Sequence, residues 1–114
     1  MAVALVEDSV NTGACISFQV VQEVLNVLTR NAISPDLRQG TSTVLEEILI
    51  PMWRVMPSPT LYLRAVEIRE RYSYTFYDSL IIAAALEGGC TRLYSEDLQH
   101  GQRIERMTIV NPFL

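Results

Sequence analysis

The fold is decided by residues 77–101, which read YDSLIIAAALEGGCTRLYSEDLQHG. Small and apolar side chains occupy almost every side of a helix expected over Tyr77–Leu86, a pattern typical of a helix buried in a core. The Gly88-Gly89 pair ends that helix. A short strand over Arg92–Ser95 follows, and then a polar loop. A buried helix followed at once by a strand indicates a sheet covered by helices.

Upstream of this stretch, short strands alternate with helices. A strand starts at Cys15, Ser17 has the character of a helix N-cap, and Phe18–Arg30 forms a helix with one broad apolar face. Ser-Pro pairs at Ser34 and Ser58 each predict a helix start. The other expected elements are helices ending near Leu49 and Tyr72, a strand over Ile50–Met56, a turn of helix over Arg103–Arg106 and a strand over Thr108–Val110. The alternation predicts a three-layer α/β fold with a mostly parallel central sheet flanked by helices.

Chain length and net charge narrow the range of functions that the protein could have. The chain has 114 residues, which predicts one domain spanning residues 1–114. The chain has thirteen acidic residues and nine basic residues, all of them Arg, so its net charge is −4. An acidic chain is not a general nucleic-acid coat, although it could cut nucleic acid at a metal site built from carboxylates.

Compartment and cofactor class follow from the remaining composition. No apolar run is long enough to span a membrane, and no basic segment precedes the apolar Met1–Val6, which argues against a secretory signal. Cys15 and Cys90 are too few for a disulfide scaffold and are predicted to be reduced, structural thiols in a cytoplasmic protein. The single His100 makes a zinc site improbable.

Three carboxylates fall where a sheet of this kind binds ligands, beyond the carboxyl ends of its strands. Glu23 interrupts the apolar face of the Phe18–Arg30 helix, Asp78 precedes the buried helix, and Asp97 follows the strand that ends at Ser95. Converging carboxylates repel one another and need a cation. Oxygen ligands favour Mg²⁺ or Mn²⁺. The pattern predicts a metal site, which could activate water and stabilise a phosphoryl transition state.

Each acid also has a simpler interpretation. Asp78 could cap its helix and offset the helix dipole. Asp97 could be ordinary turn chemistry in a polar loop. Glu23 could be paired with an arginine. Position alone leaves these alternatives open.

Two stretches resemble a known family. Residues 74–113, YTFYDSLIIAAALEGGCTRLYSEDLQHGQRIERMTIVNPF, resemble the C-terminal half of bacterial PIN domains, especially the virulence-associated protein C (VapC) type of toxin. Residues 16–30, ISFQVVQEVLNVLTR, resemble the strand and helix that carry the second acid of the family. The intervening residues match more by layout than by motif.

The resemblance implies a toxin ribonuclease that uses Mg²⁺ or Mn²⁺ to cleave RNA and is paired with a cognate antitoxin protein. Asp78 and Asp97 would hold the metal, and Glu23 would help through the metal or through water. Ser95 matches the hydroxyl position that supports the site. The RNA backbone could be contacted by arginines such as Arg54, Arg92 or Arg103, each of which is also an ordinary surface residue.

The chain departs from the family at its beginning. PIN domains start with a strand ending in an Asp that is a principal metal ligand, and this segment has no counterpart here. Residues 2–7 are expected to be the end of the helix that should follow that strand. A rival alignment makes Ala2–Val6 the first strand, with Glu7 or Asp8 as a substitute acid. It is disfavoured because a parallel crossover needs about a dozen residues or more.

The absent strand would leave an unpaired position in the centre of the sheet, where unpaired amides are costly. Rearranged pairing or a partner chain, as in a swapped or intimate homodimer, is expected to fill it. Two functional hypotheses then remain. One is the metal-dependent toxin endoribonuclease, and the other is a truncated, inactive PIN remnant that only dimerises or binds an antitoxin.

Overall fold

The computed structural model describes residues 2–6, 13–30 and 35–114. Its helices are α1 (Phe18–Arg30), α2 (Pro35–Val44), α3 (Ile50–Met52), α4 (Pro59–Tyr72) and α5 (Phe76–Glu87), with a π-helical turn (Leu45–Leu49) between α2 and α3. Its strands are β1 (Ala2–Val6), β2 (Gly13–Ser17), β3 (Trp53–Val55), β4 (Arg92–Ser95), β5 (Arg103–Ile104) and β6 (Met107–Val110). No helix in these ranges is long and apolar enough to cross a membrane.

The six strands form one sheet in the order β3-β2-β1-β4-β6-β5. Pairing is parallel between β2 and β3 and between β4 and β6, and antiparallel at the other three positions. Strands β2, β3, β4 and β6 therefore run in the same direction, whereas β1 and β5 run against them. The carboxyl ends of β2 and β4 reach the same edge of the sheet, which places the residues after Ser17 and Ser95 on one side of the molecule.

Helices cover the sheet on both faces because the strand side chains alternate. On β2, Cys15 joins the larger apolar cluster, which includes residues of α4 and α5, while Ile16 packs with Val20 and Val21 of α1 in a second cluster. Helix α5 has seven buried residues, so it lies inside the fold as its composition predicts. The predicted α/β class with helices flanking a central sheet is confirmed.

The first strand differs from its prediction. Residues 2–6 are not the end of a helix. They form β1, which fills the central position expected to be empty and pairs Ala4 with both Cys15 and Leu93. The crossover argument fails because β1 runs antiparallel to β2, and antiparallel neighbours need only a short connection. Rearranged pairing is thus the alternative that the structure contains. Glu7 and Asp8, the substitute acids of the rival alignment, lie outside the described residues.

Two other predictions are wrong in detail. Only residues 53–55 of the strand expected over Ile50–Met56 are extended, because Pro51 fits the first turn of α3 and lets the helical path continue from α2. The turn of helix expected over Arg103–Arg106 is instead a hairpin. Its two-residue loop between β5 and β6 contains Glu105 at φ 54°.

Candidate active site

A cleft opens at the sheet edge where β2 and β4 end. It has a volume of about 470 Å³. The side chains that line it come from α1, the start of α5 and the end of β4, and they are Gln19, Gln22, Glu23, Asn26, Tyr77, Asp78, Ile81, Ser95 and Asp97. All four residues predicted for the site, Glu23, Asp78, Ser95 and Asp97, are therefore among its walls.

One wall is a polar stripe of helix α1. Gln19, Gln22, Glu23 and Asn26 are spaced i, i+3, i+4 and i+7, so they lie on one face of the helix. The buried side chains of α1, which include Val20 and Val21, face the core. Glu23 is exposed. It is an acid at the boundary of the two faces and does not interrupt a buried surface. No arginine lines the cleft among the residues that the structure describes.

The mouth of α5 forms the second wall. The helix N-cap is Thr75, whose hydroxyl accepts a hydrogen bond from the backbone N–H of Asp78 at 3.2 Å. Thr75 and not Asp78 is therefore the N-cap, while Asp78 is an acid in the first turn, where its charge offsets the helix dipole, and it also lines the cleft. The amide of Gln19 donates to the backbone carbonyl of Tyr77 at 3.3 Å and joins α1 to this turn.

The end of β4 supplies the third wall. Ser95 is 4% exposed, and its hydroxyl accepts a hydrogen bond from the backbone N–H of Asp97 at 3.2 Å. This local turn brings Asp97 back over the strand end while its side chain stays exposed. Leu98, buried directly after it, anchors the loop in the core. The side chain that makes this turn is that of Ser95, whereas Asp97 contributes its backbone N–H and lines the cleft.

Tyr74 holds the rest of that loop. Its hydroxyl hydrogen-bonds the side chain of Gln102 and accepts a hydrogen bond from the backbone N–H of Gln99 at 3.4 Å. Further along, the N–H of Gly101 donates to the carbonyl of Ile109 on β6 at 2.8 Å. The segment that follows Asp97 is thus tied to the sheet at several points, which limits how far Asp97 can move.

The cleft has oxygen donors of the kind that a hard divalent cation prefers, since three carboxylates are among its lining side chains. Within the described ranges, no group of three or more His, Cys, Asp and Glu side chains could hold a metal ion together. Mg²⁺ needs no such group, because it keeps several waters and is bound by one or two carboxylates with substrate phosphates. The residues therefore fit a magnesium site of the open kind.

Strand β1 contributes no acid to this edge, since Ala2–Val6 contains none. Antiparallel pairing brings Ala2 into register with Ser95, while Leu5 is in register with Arg92, so the far end of β1 is remote from the cleft. A parallel first strand would instead end beside Ser95.

Sequence reasoning missed five lining residues: Gln19, Gln22, Asn26, Tyr77 and Ile81. The first three could have been found from Glu23 by helical spacing. The arginines suggested as RNA contacts do not line the cleft. Arg54, Arg92 and Arg103 are exposed on strands β3, β4 and β5.

Comparison with protein families decides the identity of the fold. The family model described as PIN domain matches residues 2–104. The chain belongs to the PIN-domain family. No curated protein matches it. PIN domains are generally nucleases that use divalent metals. An acidic cleft is therefore consistent with membership of this family.

Proposed function

We propose that this PIN domain is a Mg²⁺- or Mn²⁺-dependent endoribonuclease, the toxin component of a toxin–antitoxin pair, and that residues 1–114 act as one domain. The observation that carries the proposal is the convergence of Glu23, Asp78 and Asp97 on one cleft from three separate elements. Family membership supports nuclease activity. The resemblance of residues 74–113 to virulence-associated protein C toxins supports RNA as the substrate and an antitoxin as the partner.

Asp78 and Asp97 are the proposed metal ligands, with Glu23 across the cleft. Mg²⁺ would stabilise the charge that develops on the scissile phosphate. Ser95 acts on Asp97 through their hydrogen bond and sets the position of that carboxylate. The role proposed for the Glu23 carboxylate, which lines the cleft, is to help through the metal or to accept a proton from the attacking water. Tyr77, 71% exposed at the rim, offers a ring on which a base can stack.

We also propose that the protein works in the cytoplasm as a homodimer. The cytoplasm suits two buried, unbridged cysteines. A swapped strand has no vacancy in the sheet to fill, because β1 occupies the centre. Support for an intimate dimer comes instead from apolar side chains exposed on α4, where Leu63 is 73% and Val66 45% exposed. Light scattering coupled to size-exclusion chromatography gives the mass directly, and a monomer at all concentrations would contradict the dimer.

The activity is tested by incubating the purified protein with RNA and Mn²⁺. The wild type should cleave, and Asp97→Asn should cleave at less than about a hundredth of its rate, since losing even an outer partner of a metal site typically costs about 10–100-fold. Glu96→Gln is the matched control, because Glu96 is exposed beside Asp97 but does not line the cleft. Cleavage that is unaffected by Asp97→Asn would overturn the proposal.

The inactive remnant is favoured by one observation: β1, whose Ala2 is in register with Ser95, has no acidic residue to contribute to the cleft. Calorimetric titration with Mg²⁺ separates the two functions. The nuclease should bind the ion with an affinity that falls in Asp78→Asn. A wild type that binds Mg²⁺ no better than this variant, and does not cut RNA, would establish the remnant.

A further inference from the structure

Two thiols that are 75 positions apart in the chain meet in the core. The Sγ atoms of Cys15 and Cys90 are 3.1 Å apart, and the two residues are 1% and 0% exposed. Both are free thiols. A disulfide has an S–S length of about 2.05 Å, so closing the bond requires a movement of about 1 Å. The pair is outside the acidic cleft, whose walls contain neither cysteine.

The turn after α5 is built to bring them together. The N–H of Gly88 donates to Ala84 and that of Cys90 to Ala85, both at 3.0 Å, which folds the chain back under the helix end. Gly89 allows this path because its φ is +75°. A Cβ on Gly88 would lie 3.5 Å from Cys15 Sγ, an ordinary van der Waals distance, which shows that the turn packs directly against β2.

The two sulfurs are chemically unequal. The two sulfurs share one hydrogen bond in which either can be the donor. This contact and the nearby Arg54 guanidinium lower the pKa of Cys15, although burial opposes the shift. The same hydrogen bond, together with burial, raises the pKa of Cys90. Of the two sulfurs, Cys15 is therefore the one that ionises more readily, and it is also the one that lines the cavity beside the pair. A thiolate beside a protonated thiol is the arrangement of an attacking and a resolving cysteine.

A small cavity adjoins the attacking sulfur. Its volume is about 10 Å³, close to the minimum that holds one water, and Cys15 is one of its walls. The other lining residues are Ile16, Ser17, Val20, Val55, Ile81, Ala84, Ala85 and Leu93. Such a space selects oxidants by size. Hydrogen peroxide has one more oxygen atom than water and enters only if these walls widen slightly, whereas a tripeptide disulfide is far too large to fit.

We propose that Cys15 and Cys90 form a peroxide-responsive pair that closes to an intramolecular disulfide. The Cys15 thiolate attacks one oxygen of hydrogen peroxide, the O–O bond breaks, and hydroxide leaves and takes up a proton to become water. Cys15 is then a sulfenic acid. The Cys90 sulfur attacks the sulfenic sulfur, the S–S bond forms, and the sulfenic oxygen leaves with the Cys90 proton as a second water. Two thiols are oxidised and one peroxide is reduced. This pair is independent of RNA cleavage.

The test treats the reduced wild-type protein with hydrogen peroxide, blocks the remaining thiols after denaturation, and digests at arginine without reductant. Cys15 and Cys90 fall in the peptides 1–30 and 72–92. We expect these two peptides to be joined, in a monomeric product, and to separate with dithiothreitol. Because the bond closes a long loop, it should raise the melting temperature by about 10 °C.

Matched variants and a second oxidant make the proposal falsifiable. Cys15→Ser should slow the loss of the remaining thiol at least about tenfold, whereas Cys90→Ser should still lose Cys15 and form sulfenic acid without the bridge. Oxidised glutathione should act far more slowly than peroxide. Both thiols remaining free in peroxide-treated wild type, equal loss in Cys15→Ser, or a bridge found only between chains would each overturn the proposal.

Discussion

The two ends of helix α5 have opposite chemistry. At its start, Asp78 contributes to a polar cleft of about 470 Å³. At its other end, a Gly-Gly turn delivers Cys90 to a dry contact with Cys15, beside a cavity of about 10 Å³. Carboxylates need water or a cation, because burial of an unpaired charge is costly. Protonated thiols, in contrast, pack among apolar groups like small hydrophobic side chains. A helix that is apolar on all sides can therefore join two sites without mixing them, and changes at one end should leave the other unaffected.

The largest effect on activity is expected from Asp78→Asn, at the start of α5 beside the cleft. Loss of a proposed metal ligand should lower the rate of RNA cleavage in Mn²⁺ by more than about 100-fold, a larger loss than is typical for outer partners of a metal site. The melting temperature should change little, because Thr75 and not Asp78 caps the helix.

Glu87→Gln is the control for that experiment. Glu87 is an exposed acid at the opposite end of the same helix and does not line the cleft. Its removal should leave cleavage within about twofold, as for a surface change worth less than about 0.5 kcal/mol. Equal losses in both variants would mean that overall charge, and not the cleft, governs activity.

A smaller effect is expected from Ser95→Ala. The change removes the hydroxyl that holds the backbone of Asp97, so cleavage should fall about tenfold, within the range for partners that orient a metal ligand. Raising the Mn²⁺ concentration should recover part of the rate, because the Asp97 carboxylate is still present. A cleavage rate equal to that of the wild type, measured with varied Mn²⁺, would remove Ser95 from the site.

The turn after the other end of α5 is tested by Gly89→Ala. The substitution forces a side chain into the left-handed region at φ +75°, which costs about 1–2 kcal/mol, although nothing crowds the new Cβ within 4 Å. Denaturant unfolding should report that loss, and cleavage per folded molecule should not change. Gly40→Ala in α2 is the matched control with open space, and it should stabilise the protein by about 0.5–1 kcal/mol. Equal shifts in both would mean that the turn carries no strain.

The smallest effect is expected from Gln19→Ala, which removes the hydrogen bond between α1 and the start of α5. The bond is exposed, so its loss should lower the free energy of unfolding by about 0.5 kcal/mol, the low end for such bonds. Gln22→Ala, on the same face of α1, should have no measurable effect. A greater loss in Gln22→Ala, measured by chemical denaturation, would show that the stripe is held by other contacts.

The success of sequence reasoning differed along the chain. Residues with strong local signals were predicted well. Ser58 does cap α4, accepting a hydrogen bond from the N–H of Leu61 at 3.1 Å, and α5 is buried where its apolar composition places it. Short elements with weak local signals were predicted poorly. Residues 2–6 carry no local mark of strand direction, and Pro51 is compatible with both a strand edge and a helix start.

The amino-acid sequence by itself determined the α/β class, the buried helix and the identity of the acids that line the cleft, because periodicity, caps and turn residues act over a few neighbouring positions. Tertiary structure alone decided the direction of β1, the register of Ala2 with Ser95, and the meeting of Cys15 with Cys90. These depend on contacts between residues far apart in the chain, whose energies are set by packing and pairing across the whole sheet. No local pattern encodes them.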